Sequence, residues 1–382
     1  MNTEGKPKIL FIMHLPPPIH GAAQVGKWIQ ESELVNSTFD CYYINLTLAS
    51  NLADIGKTGI GKLKKYLALL KRIRKTIQEV KPDFVYITPN SSGGAFIKDC
   101  ITVNMIRRMG VRVLAHFHNK GVSRYQHKWL YNKLYKSMFK DLKVLLIVPQ
   151  LYDDMKKYVR IRDLYFCPNG VPAHLEFEPE AEREHAVPEI LFLSNMIVSK
   201  GVIDLLDALY LLRGDGRKFH CTLIGGQTDE LDTHKIQHEI ESRHLNGYAI
   251  YIGPRYGNDR DFHFASADIM AFPTYYPKEC FSLVNLEAME WKLPVVTTNE
   301  GGLAYAVKDG VTGVICEKQN PIDLARALSV LLDDEELRWD MGERGYADFQ
   351  KYFTVEKFME RFVHVLKRAL KETPPQPKKL FY

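Results

Sequence analysis

The chain has 382 residues, 46% hydrophobic and 25% charged, with a formal net charge of +5. Single cores stop growing at roughly 250–300 residues, so this length calls for two domains, and the composition excludes a disordered or fibrous chain. The charge is uneven: residues 1–180 carry 27 Lys+Arg against 15 Asp+Glu, the remainder 24 against 31, and so basic a half would attract phosphorylated substrates, anionic lipid or nucleic acid alike.

The first apolar run, KILFIMH, breaks into prolines after about seven residues, where a membrane span needs about 20; a cytoplasmic protein is expected. A helix should begin near Gly21. FDCYYINL, DFVYIT, VRVLAHFH and VLLIVP then read as strands, with a basic helix around Lys62–Glu79 and another around Ala95–Met109 between them. Strand and helix alternating in this way predict right-handed βαβ units and a parallel, doubly wound sheet. After LYFCPNGV the composition turns acidic and loses apolar periodicity, which places a linker over residues 173–188. Alternation restarts with EILFLSN, a helix from Gly201, FHCTLIGG, a helix near Leu231–Arg243, YAIYIG, ADIMAF, PVVTT and TGVICE. The expected organisation is an N-terminal domain over 1–172 and a second doubly wound domain over 189–352. A closing helix over 353–370, expected to return to the first domain, and a Pro-rich tail over 371–382 complete it. In such folds ligands bind at the carboxyl ends of the strands, so two α/β domains facing across a cleft are anticipated. The six cysteines are scattered without a C-x-x-C pair, which favours buried thiols over a zinc site or a disulfide framework.

Within KECFSLVNLEAMEWKLPVV, Glu279 and Glu287 stand eight positions apart in a largely apolar stretch. The strand-loop-helix pattern puts Glu279 just before a helix and Glu287 about two turns inside it. The free amides of Phe281, Ser282, Leu283 and Val284 would favour an anion such as a diphosphate. A glutamate beside a helix start is also an ordinary partner of the helix dipole. Asp259-Arg260-Asp261 spells a metal-binding D-x-D, but its position at a helix start makes capping aspartates the expectation, and no metal site is assigned.

The stretch from PTYYPKECFSLVNLEAME to LPVVTTNEGGLAYAVKDGVTGVI resembles the E-x7-E region, G-G loop and D-G-x-x-G turn of retaining glycosyltransferases of family 4, which have the GT-B fold. This resemblance implies that Glu279 contacts donor-sugar hydroxyls, that the Phe281–Val284 backbone holds the nucleotide diphosphate and that Glu287 binds its ribose. FLSNMIVSKGVIDLLDAL is similar to the family's G-R-L-x-x-x-K-G segment, which assigns Lys200 to the diphosphate and puts Asn195 where an arginine is frequent. HLPPPIHGAAQVGKWI resembles the loop after the first strand, with Gly21 approaching donor or acceptor and His20 on the acceptor side. In VLAHFHNKGV, His118 fits the family histidine near the reacting sugar and His116 its neighbour toward the acceptor. Lys292 and Tyr305 depart from the family's usual glycine and glutamate.

The implied function is transfer of a sugar, with retention, from a nucleotide-sugar donor, UDP-sugars first, to a hydroxyl of a lipid-linked or surface-polysaccharide acceptor. No cofactor or metal is expected. Two basic, aromatic-rich segments, GKLKKYLALLKRIRKTIQEV and HKWLYNKLYKSMFKDLK, raise association with an anionic membrane surface as a further expectation. Nucleic acid is not expected as a partner. The alternatives are a sugar-nucleotide epimerase of the same fold and a non-catalytic sugar-nucleotide binding protein.

Overall fold

The computed structural model describes residues 5–17, 20–47, 60–174 and 187–372. Most of the expected linker, and the tail beyond Glu372, lie outside the described residues. The chain divides into two compact units, Met1–Asn169 together with Val355–Tyr382, and Gly170–Thr354.

The first unit contains β1 (Lys8–Met13), α1 (Gly21–Glu31), α2 (Glu33–Thr38), β2 (Asp40–Asn45), α3 (Ile60–Val80), β3 (Phe84–Ile87), α4 (Gly93–Arg108), β4 (Arg112–Phe117), α5 (Val122–Tyr125), α6 (Trp129–Phe139), β5 (Lys143–Leu146) and β6 (Leu164–Phe166). Its strands form one parallel sheet in the order β2-β1-β3-β4-β5-β6. Ile9 to Met13 and Phe84 to Ile87 are buried without alternation, because a parallel sheet is covered on both faces. Beyond the second unit, a last helix, residues Val355–Glu372, packs in this first unit. Its buried Phe358, Phe362, Leu366 and Ala369 recur at helical spacing, the apolar stripe that a helix lays on a core. The Phe362 ring lies 5.2 Å from Tyr86 and 6.5 Å from Phe11.

The second unit contains β7 (Glu189–Leu193), α7 (Val202–Gly214), β8 (His220–Ile224), α8 (Thr233–Ser242), β9 (Ala249–Gly253), α9 (Asn258–Ser266), β10 (Ile269–Phe272), α10 (Leu283–Glu290), β11 (Val295–Thr298), α11 (Leu303–Ala306), β12 (Gly313–Cys316), α12 (Pro321–Asp333) and α13 (Glu335–Asp348); the last helix of the chain is then α14. Its parallel sheet runs β12-β11-β10-β7-β8-β9. The chain winds outward from β7 to β9, then returns to pair β10 on the other side of β7. Ligands of doubly wound sheets bind outside the carboxyl ends of strands at such a reversal, here between β7 and β10.

Candidate functional site

Two glycines shape the carboxyl end of β7 and β10. Gly201 has φ +87°, and a Cβ there would lie 2.3 Å from the Pro273 carbonyl oxygen; the left-handed backbone and the close approach both exclude a side chain. The turn before it therefore holds Lys200 against the loop after β10. There the Lys200 ammonium donates to Glu279 Oε2 at 2.5 Å and sits over the rings of Tyr276 and Phe272, 4.8 and 5.4 Å from their centroids. Gly301 (φ +58°) crosses Glu279 from the other side, where a Cβ would lie 2.3 Å from the Glu279 carbonyl oxygen. Gly302 adds an N–H bond to the Cys280 carbonyl at 2.8 Å. The G-G loop thus buttresses the turn that carries Glu279.

Three residues beyond Glu279, Ser282 caps α10, its hydroxyl accepting from the Asn285 N–H at 3.3 Å. The amides of Leu283 and Val284 open the first turn, where no intrahelical acceptor exists. Phe281 is buried, its ring 6.0 Å from Phe353. Asn195, after β7, is exposed. The helix is shorter than the sequence implied: α10 has eight residues, and Glu287 is its fifth, little more than one turn in rather than two. Lys292 follows the helix at φ +55°, which explains why glycine is usual there: the position is left-handed. Tyr305 lies in α11 and is 38% exposed.

Glu287 is tied to a residue that the sequence reading passed over. Arg260 donates through Nη1 to Glu287 Oε1 at 2.9 Å and through Nη2 to Asp261 Oδ1 at 3.1 Å. Asp261 Oδ2 faces His174 Nε2 at 3.6 Å, and His174 Nδ1 lies 3.0 Å from Glu290 Oε1. Acidic and basic side chains alternate from Glu287 to Arg260, Asp261, His174 and Glu290, and the circuit closes on α10. Burial, ahead of the neighbouring carboxylates, raises the Glu287 pKa, and Arg260 opposes that rise. The hydrogen bond to Glu290, more than any other contact, raises the pKa of His174. The D-x-D reading also needs correction: Gly257 occupies the cap of α9, while Asp259 and Asp261 lie in its first turn, each paired with an arginine. Among the described residues no group of three or more His, Cys, Asp or Glu side chains has the geometry to hold a metal ion.

In the first unit, a different set gathers at the ends of β1 and β4. His14, unremarked in the sequence, follows β1 directly; its ring is 5.6 Å from that of His20. His20 caps α1, its Nδ1 accepting from the Ala23 N–H at 3.3 Å, so one ring nitrogen is committed to the helix. Gly21 is the exposed first residue of that helix. His116 is buried in β4 with Nδ1 2.7 Å from the Tyr86 hydroxyl, and the ring of His118, just past the strand, lies 4.0 Å from it. The sequence assigned His116 an acceptor-side place, but a fully buried ring bonded to a core tyrosine is held as part of the sheet. Burial pushes His14 down to about 4, helped by His20 and Lys98, and His118 down to about 3, helped by His14 and His20. Burial and then His118 put His116 well below its ordinary value. His20 is lowered by burial. The cluster is uncharged at neutral pH.

Residues 175–348 match the family described as Glycosyl transferases group 1. A D-inositol 3-phosphate glycosyltransferase of Paenarthrobacter aurescens (strain TC1) is 38% identical over 121 residues, 32% of this chain and 29% of that protein. The chain likewise spans less than half the length of two corynebacterial relatives of the same name. Among solved structures, sucrose-phosphate synthase from Thermosynechococcus elongatus superposes with a TM-score of 0.74 at 16% identity, over 96% of this chain and 100% of that one. Anabaena Alr3699/HepE in complex with UDP and glucose gives 0.69 at 17% identity, over 94% and 99%. Residues 175–348 therefore resemble the glycosyl transferases group 1, within a chain whose two Rossmann-like units have the GT-B fold.

Proposed function

We propose that the protein is a retaining, metal-independent glycosyltransferase of family 4. It moves a sugar from a nucleotide-sugar donor, UDP-sugars first, to a hydroxyl of a glycan or lipid-linked acceptor. The observation that carries this reading is the Lys200–Glu279 pair, 2.5 Å apart beside the N-terminus of α10, at the reversal point of the second sheet. The leaving diphosphate gains negative charge while the sugar turns oxocarbenium-like. A preorganised ammonium and helix-terminal amides stabilise the first by several kcal/mol in a desolvated site. Glu279, held by Lys200 and the G-G loop, orients the sugar. UDP is placed first because the HepE structures are complexes with UDP, UDP-glucose, or UDP and glucose.

The test is a thermal-shift panel of UDP-, GDP- and ADP-sugars, since a ligand that binds the native state raises its stability by mass action. Turnover of the best donor follows, with EDTA, against hydroxyl acceptors that include a phosphorylated polyol. The anomer of the product is read by NMR. An inverted product overturns retention, loss of turnover in EDTA overturns metal independence, and isomerisation of the donor without acceptor makes the protein an epimerase. A panel with no stabilising sugar nucleotide overturns the reading as a whole.

Peripheral attachment to an anionic membrane belongs to the same proposal. It is supported by apolar side chains exposed among lysines: Leu63 and Leu67 on α3, Trp129 and Leu130 on α6. Among the described residues no helix is long and apolar enough to cross a bilayer. Sedimentation with phosphatidylserine vesicles at low salt is expected, and its absence would sink this part.

A further inference from the structure

Two observations about Glu287 need a common explanation. It lies on α10 in surroundings where burial and the charges of Glu290 and Asp261 all disfavour its ionised form. Yet a carboxyl that is to receive hydrogen bonds from two sugar hydroxyls serves best as a fixed, ionised acceptor, because hydrogen bonds to a charged group are the stronger ones. Only one of its oxygens is taken, Oε1 by the Arg260 guanidinium, which leaves Oε2 without a described partner.

Arg260 is itself held on several sides. Its Nε and Nη2 both donate to Asp261 Oδ1, at 3.3 and 3.1 Å, and its guanidinium lies 5.7 Å from the Phe264 ring centroid. Asp261 in turn faces His174, and His174 is bonded to Glu290, three residues beyond Glu287 on the same helix. A planar guanidinium fixed in this manner delivers one N–H to a set point, which a flexible ammonium does not. The geometry is that of a support for a single carboxylate oxygen.

We propose that Arg260 is a positioning residue that makes the protein selective for ribonucleotides: it fixes one oxygen of the Glu287 carboxyl and so keeps the other aimed at the ribose hydroxyls of the donor nucleotide. The inference rests on the proposed nucleotide-sugar donor and on the ribose-binding place that the resemblance to family 4 implies for Glu287. Asp261 and the His174–Glu290 pair hold Arg260 in turn, so the selectivity belongs to the whole circuit, and Arg260 is where it meets Glu287.

The experiment uses the full chain and isothermal titration with UDP, GDP and ADP, each beside its 2′-deoxy and 3′-deoxy counterparts. Wild type is expected to prefer the best ribonucleotide by about 10- to 100-fold over at least one deoxy form, the range of a hydrogen bond to a charged partner. In Arg260→Met that preference should collapse to about twofold, with affinity for the less favoured deoxy form retained, since the diphosphate contacts are untouched. Arg260→Lys, which keeps the charge and loses the fork, should fall between and serves if the methionine variant does not fold. A general loss of structure would weaken ribo and deoxy forms together. If wild type discriminates and Glu287→Gln abolishes the discrimination while both Arg260 variants keep it, Arg260 is not the positioning residue. If wild type does not discriminate at all, the ribose role of Glu287 falls, and this inference with it.

Discussion

The two units place opposite chemistry at comparable positions of similar folds. At the strand ends of the second, every ionisable residue of the site has a countercharge: Lys200 has Glu279, Arg260 has Glu287 and Asp261, and His174 has Glu290. At the strand ends of the first, four histidines stand close to one another with pKa values lowered, above all by burial. The contrast has a physical origin. A side chain that retains charge in a partly buried place must be paired, whereas an imidazole has the cheaper option of giving up its proton. A paired site is ready for an anionic ligand, because its cation is already desolvated and aimed. A neutral histidine site instead offers hydrogen bonds without net charge.

The largest effect should come from breaking the charged side of this contrast. Lys200→Met is expected to lower kcat/KM with the donor identified by thermal shift by about 10²- to 10³-fold, the cost of one preorganised charge-stabilising group. His118→Gln, which keeps a hydrogen-bonding side chain, should cost no more than about tenfold. Equal losses would mean that the two ends do not divide the work as their charges suggest.

A smaller effect separates the units by pH. The folded pKa values of His14 and His118, about 4 and about 3, lie below the ordinary 6.5. Between those values the unfolded chain binds protons that the folded chain refuses, so stability is full above pH 6.5 and falls as the pH drops toward 4. Each histidine should remove about 1 kcal/mol by pH 5.5. Urea unfolding of wild type beside His14→Gln at pH 7.5 and 5.5 reads the difference; an unchanged pH dependence in the variant would refute neutral burial of that ring. The smallest effect concerns Lys292, left-handed at φ +55° and paired with Glu343 at 2.8 Å. Lys292→Gly should be more stable than Lys292→Ala by about 1 kcal/mol, since both lose the ion pair and only glycine sheds the backbone strain. Urea midpoints of the two variants measure it.

Much of the fold could be read directly from the order of residues. Alternating β-branched runs and helical segments predicted two parallel sheets, because a buried parallel strand demands an unbroken apolar run such as ILFIM in β1. The start of α10 was also legible, since a loop after a strand and the following helix-forming run are local signals, whereas Glu279 and Lys200 were singled out through the resemblance of their segments to family motifs. Arg260 and His174 were not. Their spacing to Glu287 and Glu290, 27 and 116 residues, carries no periodic signature, and the D-x-D around Arg260 drew attention to the aspartates instead. His14 was overlooked although it stands at the end of β1, because a single histidine before prolines looks like loop chemistry.

What the sequence determined alone is therefore what depends on neighbours along the chain: strand and helix type, the two-domain alternation and the glycines at tight turns. The tertiary structure decided which charges pair. Pairing is set by the sheet order that brings β10 back beside β7, and by loops whose geometry follows from that return. A one-dimensional pattern does not encode the distance between α9 and α10, and that distance is what turns Arg260 from a surface charge into the partner of Glu287.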